Sequence, residues 1–259
     1  MPTVAIRFYE ELNFFLPKQK RKRPFTCTFT QGDTVKNLIE NLGVPHTEVD
    51  LILANGISVG FDYMLQEKDL ISVYPMFETF DIRALSKVRP EPLRELKFVL
   101  DVHLGTLAVQ LRMLGFDTHY KSDMDDDELA LLSKNEQRIL ITRDRGLLKR
   151  KTITHGYCVR SKLLNKQLAE IITRFDLHKT INPFTRCLTC NTVLSPIPAA
   201  QVRGKVPDFI FNTHKQFKQC TNCDKIYWKG SHWKHMLRNL CNLFKDNKEY
   251  LDFYTDGEE

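Results

Sequence analysis

The chain has 259 residues, 42% of them hydrophobic and 27% charged, with a formal net charge of +6 and an isoelectric point near 8.9. These values exclude a disordered or collagen-like chain and leave room for two or three domains, each with its own core. The mild positive charge favours an anionic partner, of which nucleic acid is the commonest, over a bare solubility effect.

No apolar stretch approaches the ~18 residues of a membrane span, and the first residues do not read as a signal peptide. The sequence therefore predicts an intracellular protein without membrane contact, cytoplasmic or, in a eukaryote, nuclear. Thiols stay reduced there, so cysteine pairs read as metal ligands rather than disulfides.

Residues 1–82 predict a first domain. Val4–Tyr9 and Phe25–Thr30 read as strands, rich in β-branched and aromatic residues. Lys18–Arg23 between them places five positive charges in six residues. That run reads either as a phosphate-backbone contact or import signal, or as a solvated loop. Asp33 or Thr34 caps a helix carrying Val35, Leu38, Ile39 and Leu42, which Gly43 and Pro45 stop. Leu51–Ala54 is a strand, Asn55-Gly56 a turn, and Asp69–Pro75 a last strand. This order is that of a β-grasp. Residues 83–96, with Pro90 and Pro92, predict a linker.

Residues 97–182 carry the catalytic candidates. Phe98-Val99-Leu100 runs into Asp101, and Ile139-Leu140-Ile141-Thr142 ends two residues before Asp144. Helices are predicted between them, over Leu104–Leu114 and after the acidic cluster Asp123–Glu128, and a short strand over Phe116–Tyr120. The Thr142–Lys149 stretch reads as a loop leading into a further helix. Gly156–Arg160 is a fourth strand and Gln167–Ile172 another helix. The pattern implies an α/β fold, a parallel sheet flanked by helices. Ligands bind beyond the carboxyl ends of such strands, where Asp101 and Asp144 fall. With one acid from the cluster they would form an oxygen-rich site for Mg²⁺ or Mn²⁺. The cluster also reads as a solvated, helix-capping loop. His103 is a candidate general base or a packing or phosphate-contact residue. Arg143, Arg145, Lys149, Arg150 and Lys151 read as nucleic-acid backbone contacts or as surface charges.

In residues 183–245, Cys187-Leu188-Thr189-Cys190 and Cys220-Thr221-Asn222-Cys223 stand 29 residues apart. Two such pairs predict a zinc ribbon in which four thiolates close a structural Zn²⁺ site. From Pro183 to Glu249 there are eleven Lys and Arg against four Asp and Glu. Trp228 and Trp233 either stack on single-stranded RNA or pack the small ribbon core. Cys241 is expected as a core or free thiol, Lys234–Phe244 as a short helix, and 246–259 as a polar tail.

Several of these stretches together carry a family resemblance. They are Lys97-Phe98-Val99-Leu100-Asp101, Leu104-Gly105, the run Leu111–Thr118, Asp126-Asp127-Glu128-Leu129, Ile139–Asp144 and the two cysteine pairs. Over roughly 97–240 the sequence resembles the Mut7-C family of PIN-like ribonucleases. The first domain resembles the ubiquitin-like unit fused ahead of that family, and the β-grasp group that includes sulfur carriers. Those carriers need a terminal Gly-Gly. Here Pro75-Met76-Phe77 follows instead, which points to binding or scaffolding, with a protein partner as one use. The resemblance implies a metal-dependent ribonuclease, and the aromatic and basic residues of the tail suit single-stranded regions of RNA. It implies Asp101 and Asp144 as principal metal ligands and Asp126 as the central acid, with Asp123, Asp125 and Asp127 as rivals in the same register. PIN nucleases usually carry a fourth acid after the fourth strand, and Arg160-Ser161-Lys162 stands there. The alternative reading is accordingly a weak or inactive RNA- or protein-binding module on the same fold.

Overall fold

A computed structural model describes residues 1–75, 85–88, 95–231, 233 and 238. In chain order the elements begin with β1 (Thr3–Phe8), β2 (Phe25–Thr28), α1 (Val35–Asn41), β3 (Leu51–Ala54), β4 (Ile57–Val59) and β5 (Leu70–Tyr74). Next come β6 (Lys97–Leu100), α2 (Gly105–Met113), β7 (Asp117–His119), α3 (Asp126–Asn135), β8 (Ile139–Thr142), β9 (Gly156–Cys158) and α4 (Leu164–Arg174). Last are β10 (Leu194–Ile197), α5 (Asp208–Thr213), β11 (Phe217–Cys220) and β12 (Ile226–Trp228). They fall into two compact units, Met1–His103 with Ser122–Arg160, and Leu104–Lys121 with Ser161–Glu259. The helix expected over Lys234–Phe244, Cys241, the 246–259 tail and most of the linker lie outside the described residues.

In the first unit, β1 alternates, sending Val4, Ile6 and Phe8 into the core. This is the period-two pattern of a half-buried strand. Its sheet runs in the order β2-β1-β5-β3-β4, with β1 and β5 parallel and the other pairs antiparallel. The Thr34 hydroxyl caps α1 by accepting the Asn37 N–H. This is the expected β-grasp. Residues 85–88 lie on it rather than away from it. Ser58 donates to the Leu85 carbonyl, Ser86 donates to the Asp50 carbonyl, and Val88 is buried.

The same unit holds parallel strands buried on both faces. Each of the four residues of β8 is buried, as are the three of β9. β8 pairs in parallel with β6 on one side and β9 on the other. Continuous apolar runs are what such strands require. Burying Phe98, Leu140 or Ile141 contributes about 2 kcal/mol apiece. Gly156 lets β9 approach closely, since a Cβ there would lie 2.5 Å from the Leu148 side chain. Helix α3 packs on β6 and β8. Asp125 caps it in a reciprocal capping box with Glu128. After β8 the expected helix is only a 3-10 turn, Leu147–Lys149, which ends where Arg150 turns extended. One core joins Ile6, Ile39 and Val73 of the β-grasp to Val99, Leu140, Leu148 and Ile153.

In the second unit, α2 packs on α4, whose apolar face is Leu168, Ile171 and Ile172. Gly115 ends the α2 turn at φ +95°, where a Cβ would collide with the Asn182 carbonyl. Strands β10, β11 and β12 form an antiparallel ribbon.

Candidate functional site

Two centres hold the chemistry-bearing residues. The first lies at the carboxyl ends of β6 and β8. Asp101 follows β6 directly and is only 6% exposed. Its backbone N–H extends the sheet by donating to the Ile141 carbonyl at 3.0 Å. Its side chain accepts the Thr142 hydroxyl at 2.5 Å. That same hydroxyl oxygen accepts the Asp144 N–H at 2.9 Å. Thr142 therefore links the two acids, fixing one side chain and the other's backbone. The Asp144 carboxylate is exposed and accepts the Gly146 N–H at 2.7 Å. This Asx turn aims it without an added helix. Asp101 and Asp144 are thus a buried and an exposed acid sharing one threonine.

The acidic cluster is arranged differently. Asp125 is engaged as the α3 cap. Asp126 and Asp127 both pair with the Arg150 guanidinium, Asp126 at 3.5 Å. Among the described residues, three or more metal-ligating side chains gather within 4.8 Å of one another only at the four cysteines. Asp101 and Asp144 are brought together through Thr142, and Asp126 is not gathered with them into such a group. The donor set at the pair is all hard oxygen, the kind Mg²⁺ and Mn²⁺ take, and Mg²⁺ commonly binds through one or two carboxylates and keeps several waters.

The basic residues nearby divide. Lys149 donates to the Glu40 carbonyl at 2.6 Å, so its ammonium is engaged inside the fold. Arg145 lies 5.3 Å and 5.1 Å from the rings of Phe14 and Phe15, on the 3-10 turn Glu10–Phe15. Arg143 and His103 are exposed.

Two buried groups on the β-grasp side, Glu48 and His46, carry no sign of their role in the sequence. Glu48, fully buried, accepts the Cys158 N–H of β9 at 2.5 Å and pairs with Arg160 at 3.4 Å. His46 bridges the Glu40 carboxylate at 2.7 Å and the Ile153 carbonyl at 2.8 Å. Burial, helped by Lys36, holds its pKa below the ordinary histidine value. In sequence these residues look like the polar end of a short loop, and only pairing with a distant strand reveals them.

The second centre is the cysteine cluster. Cys187 and Cys190 form one knuckle, Cys220 and Cys223 the other. In each, the first cysteine's carbonyl accepts an N–H four residues on, from Asn191 or Asp224. In each, the first cysteine's N–H donates five residues on, to the Thr192 or Lys225 carbonyl. Asn191 and Asp224 both take positive φ, at 68° and 57°, a region that Asn and Asp tolerate. The knuckles are thus two copies of one turn. Their sulfurs face each other at 3.4 to 3.8 Å. A tetrahedron with Zn–S near 2.3 Å sets its sulfurs about 3.8 Å apart. The set is closed, with no open position for chemistry.

Ionisation within the cluster is uneven. Burial opposes the Cys190 thiolate, but hydrogen bonds led by Thr192 outweigh it and bring the thiol down to about 5. The Lys225 N–H favours the Cys223 thiolate, yet desolvation and the other three sulfurs push that thiol up to about 12. Four sulfurs this close cannot all ionise without a cation among them, which suits a structural metal such as zinc. Tyr227 contacts Cys187 through its hydroxyl at 3.1 Å. Arg112, 3% exposed, donates to the carbonyls of Thr118, Leu188 and Thr189 at 2.8, 3.0 and 2.8 Å. It fastens the first knuckle to β7. A lone arginine on an apolar helix gave no warning of this.

No helix among the described residues is long and apolar enough to cross a membrane. No curated protein and no solved structure matches the chain. Two family models do match, the Mut7-C ubiquitin domain over residues 1–81 and the Mut7-C RNAse domain over residues 96–240. The chain therefore belongs to the Mut7-C RNAse domain family, with a Mut7-C ubiquitin domain ahead of it.

Proposed function

We propose that this protein is a metal-dependent ribonuclease acting on single-stranded regions of RNA in the cytoplasm. The observation that carries the reading is the Asp101–Thr142–Asp144 link at the carboxyl ends of two parallel strands. Family membership supports RNA as the substrate. Asp101, Asp144 and, from the acidic cluster, Asp126 are the proposed holders of Mg²⁺ or Mn²⁺. A bound divalent ion supplies an acidified water and neutralises charge on the scissile phosphate. The chain's own residues prepare that site. Thr142 fixes the Asp101 carboxylate from the buried side, and Gly146 orients that of Asp144 from the exposed side. Arg145, resting on Phe14 and Phe15, is the cation placed to meet an RNA phosphate beside Asp144.

Cleavage of structured and unstructured RNA with and without Mn²⁺ tests this, comparing the wild type with Asp144→Asn. The wild type should cleave single strands only with metal, and the variant should lose orders of magnitude in rate while still binding. Absence of metal-dependent cleavage by the wild type would refute the enzyme reading. Equal cleavage by both proteins would place the activity elsewhere.

Two observations favour a second reading, an RNA- or protein-binding module without turnover. Arg150 engages Asp126 and Asp127, and a basic run replaces the fourth acid. On this reading Arg150→Gln leaves cleavage at zero. On the first reading it frees Asp126 and changes the metal concentration needed for half-maximal rate.

A further inference from the structure

A half-open pocket of about 90 Å³ lies within the second unit. Phe184, Tyr227, Trp228 and Trp233 give it four aromatic walls, and Met113 a fifth, flexible one. Tyr227 is committed to the sulfurs through its hydroxyl. Trp228 packs on the small core of Ile197, Val202, Val206 and Phe217. Phe184 and Trp233 remain, with ring centroids 5.7 Å apart and planes at 67°. The pocket is open on one side, so a flat ring can lie in it with the rest of its molecule outside.

Phe184 is held in a costly conformation. Its φ is +63°, a region that costs a bulky L-residue about 1–2 kcal/mol. The Lys218 ammonium donates to its carbonyl at 2.7 Å and lies 5.0 Å from its ring. Backbone strain maintained by a specific contact is a pointer to function. Lys229, which is exposed, stands 5.8 Å from the Trp233 ring. Each ring of the pair thus has its own cation. Among the described residues neither lysine has a carboxylate partner, and no acid lines the pocket. The guanidinium in its wall, Arg186, is balanced by Asp117 at 3.4 Å. Aromatic faces edged by cations suit a ligand that is flat and apolar at one end and anionic at the other. An unpaired nucleotide has that form.

We propose that this pocket takes one unpaired base of single-stranded RNA, laid against Phe184 and Trp233, with its phosphate met by Lys218 and Lys229. The proposal rests on the ribonuclease reading only for the choice of RNA among anionic strands. Base stacking tolerates any sequence, so the pocket holds a strand without selecting it.

The test measures binding of a labelled oligouridylate to the full chain carrying Asp144→Asn, which prevents cleavage. Adding Trp233→Ala should weaken binding about tenfold, and Trp233→Phe should restore most of it. Lys229→Gln, at an exposed position, should lower the slope of log affinity against log salt by about 0.7. A duplex of equal length keeps its bases stacked and should not respond to Trp233→Ala. Unchanged oligouridylate binding in Trp233→Ala with metal content and thermal midpoint intact overturns the proposal. So does an equal loss on the duplex, or an unchanged salt slope in Lys229→Gln, which stands even if Trp233→Ala unfolds. A wild type that never cleaves, together with these binding changes, sinks the nuclease reading and leaves the pocket. A cleaving wild type without them does the reverse.

Discussion

Replacing Glu48 with alanine should destabilise the first unit as a whole, although the residue sits on the β-grasp and its partners at the end of β9 and just after it. The carboxylate is fully buried, accepts the Cys158 N–H at 2.5 Å and pairs with Arg160 at 3.4 Å. Alanine leaves an N–H on a buried strand without this acceptor and a guanidinium without this counter-charge. Breaking a buried pair costs about 3–5 kcal/mol. Arg160 retains 20% of its side-chain exposure and lies 5.2 Å from the Tyr157 ring, so part of its charge can relax toward water. The lower end, about 3 kcal/mol, is the expectation. Glutamine keeps an acceptor for Cys158 and loses only the charge, so it should cost about 1 kcal/mol. Urea titration measures both. At a slope of about 2 kcal/mol per molar, alanine moves the midpoint by about 1.5 M and glutamine by about 0.5 M. Removing the stranded charge with Arg160→Ala should recover part of the Glu48→Ala loss. Hydrogen exchange supplies the stronger check, since amides in residues 1–75 and 139–158 should lose protection together. A Glu48→Ala loss below about 0.5 kcal/mol, or loss of protection confined to the β-grasp, would refute the reasoning.

Three further outcomes follow from the same geometry. His46 has its pKa lowered by burial, so the unfolded chain binds the proton first. Stability should be complete above the unfolded value of 6.5 and fall as pH drops through the folded one. His46→Gln should flatten that part of the slope in urea titrations at several pH values. Cys190→Ser should release the metal and abolish protection of β10–β12 while sparing residues 1–75, as read by zinc content and hydrogen exchange. Retention of one tight zinc would contradict the ligand assignment. Neutralising Lys20, Arg21, Lys22 and Arg23 should lower the salt slope of RNA binding by about 1.4 to 2.8, the range for two to four phosphates. The low end reflects Arg21 and Arg23, whose guanidinium groups donate to the carbonyls of Leu16 and Gln19. An unchanged slope would leave the loop with no part in binding.

What the sequence discloses is what local rules encode. The β6 and β8 runs are legible because strands buried on both faces must be apolar throughout. The α1 cap, the capping of α3 by the acidic cluster and the cysteine pairs are legible because their partners lie within five residues. The ribbon strands are not. They are four, four and three residues long, and Pro196 sits inside β10. Glu48, His46 and Arg112 escape for another reason. A buried charge is recognisable only once its partners are known, and theirs include backbone groups 110, 107 and 76 residues away. The turn at Leu147–Lys149 reads as a helix because its two leucines fit one. Instead Lys149 reaches back to Glu40 and Arg150 across to Asp126 and Asp127.

These long-range contacts change what the β-grasp can be for. The chain from Arg145 to Arg160 follows the Asp101–Thr142–Asp144 link and meets the β-grasp at successive points. Arg145 rests on Phe14 and Phe15, Lys149 bonds the Glu40 carbonyl, and the Ile153 carbonyl receives His46. Cys158 and Arg160 close on Glu48. Each contact satisfies a polar or charged group that would otherwise need water. A separable adaptor tolerates an apolar seam but gains nothing from buried charges that match at one register only, because their desolvation is offset only when every partner is in place. The arrangement suits a brace better than a recruiting module. It holds the loop that carries Asp144 and the arginine beside it. A partner protein would have to use a face of the β-grasp other than the turns at Glu10–Phe15 and His46–Glu48, which are already occupied within the chain.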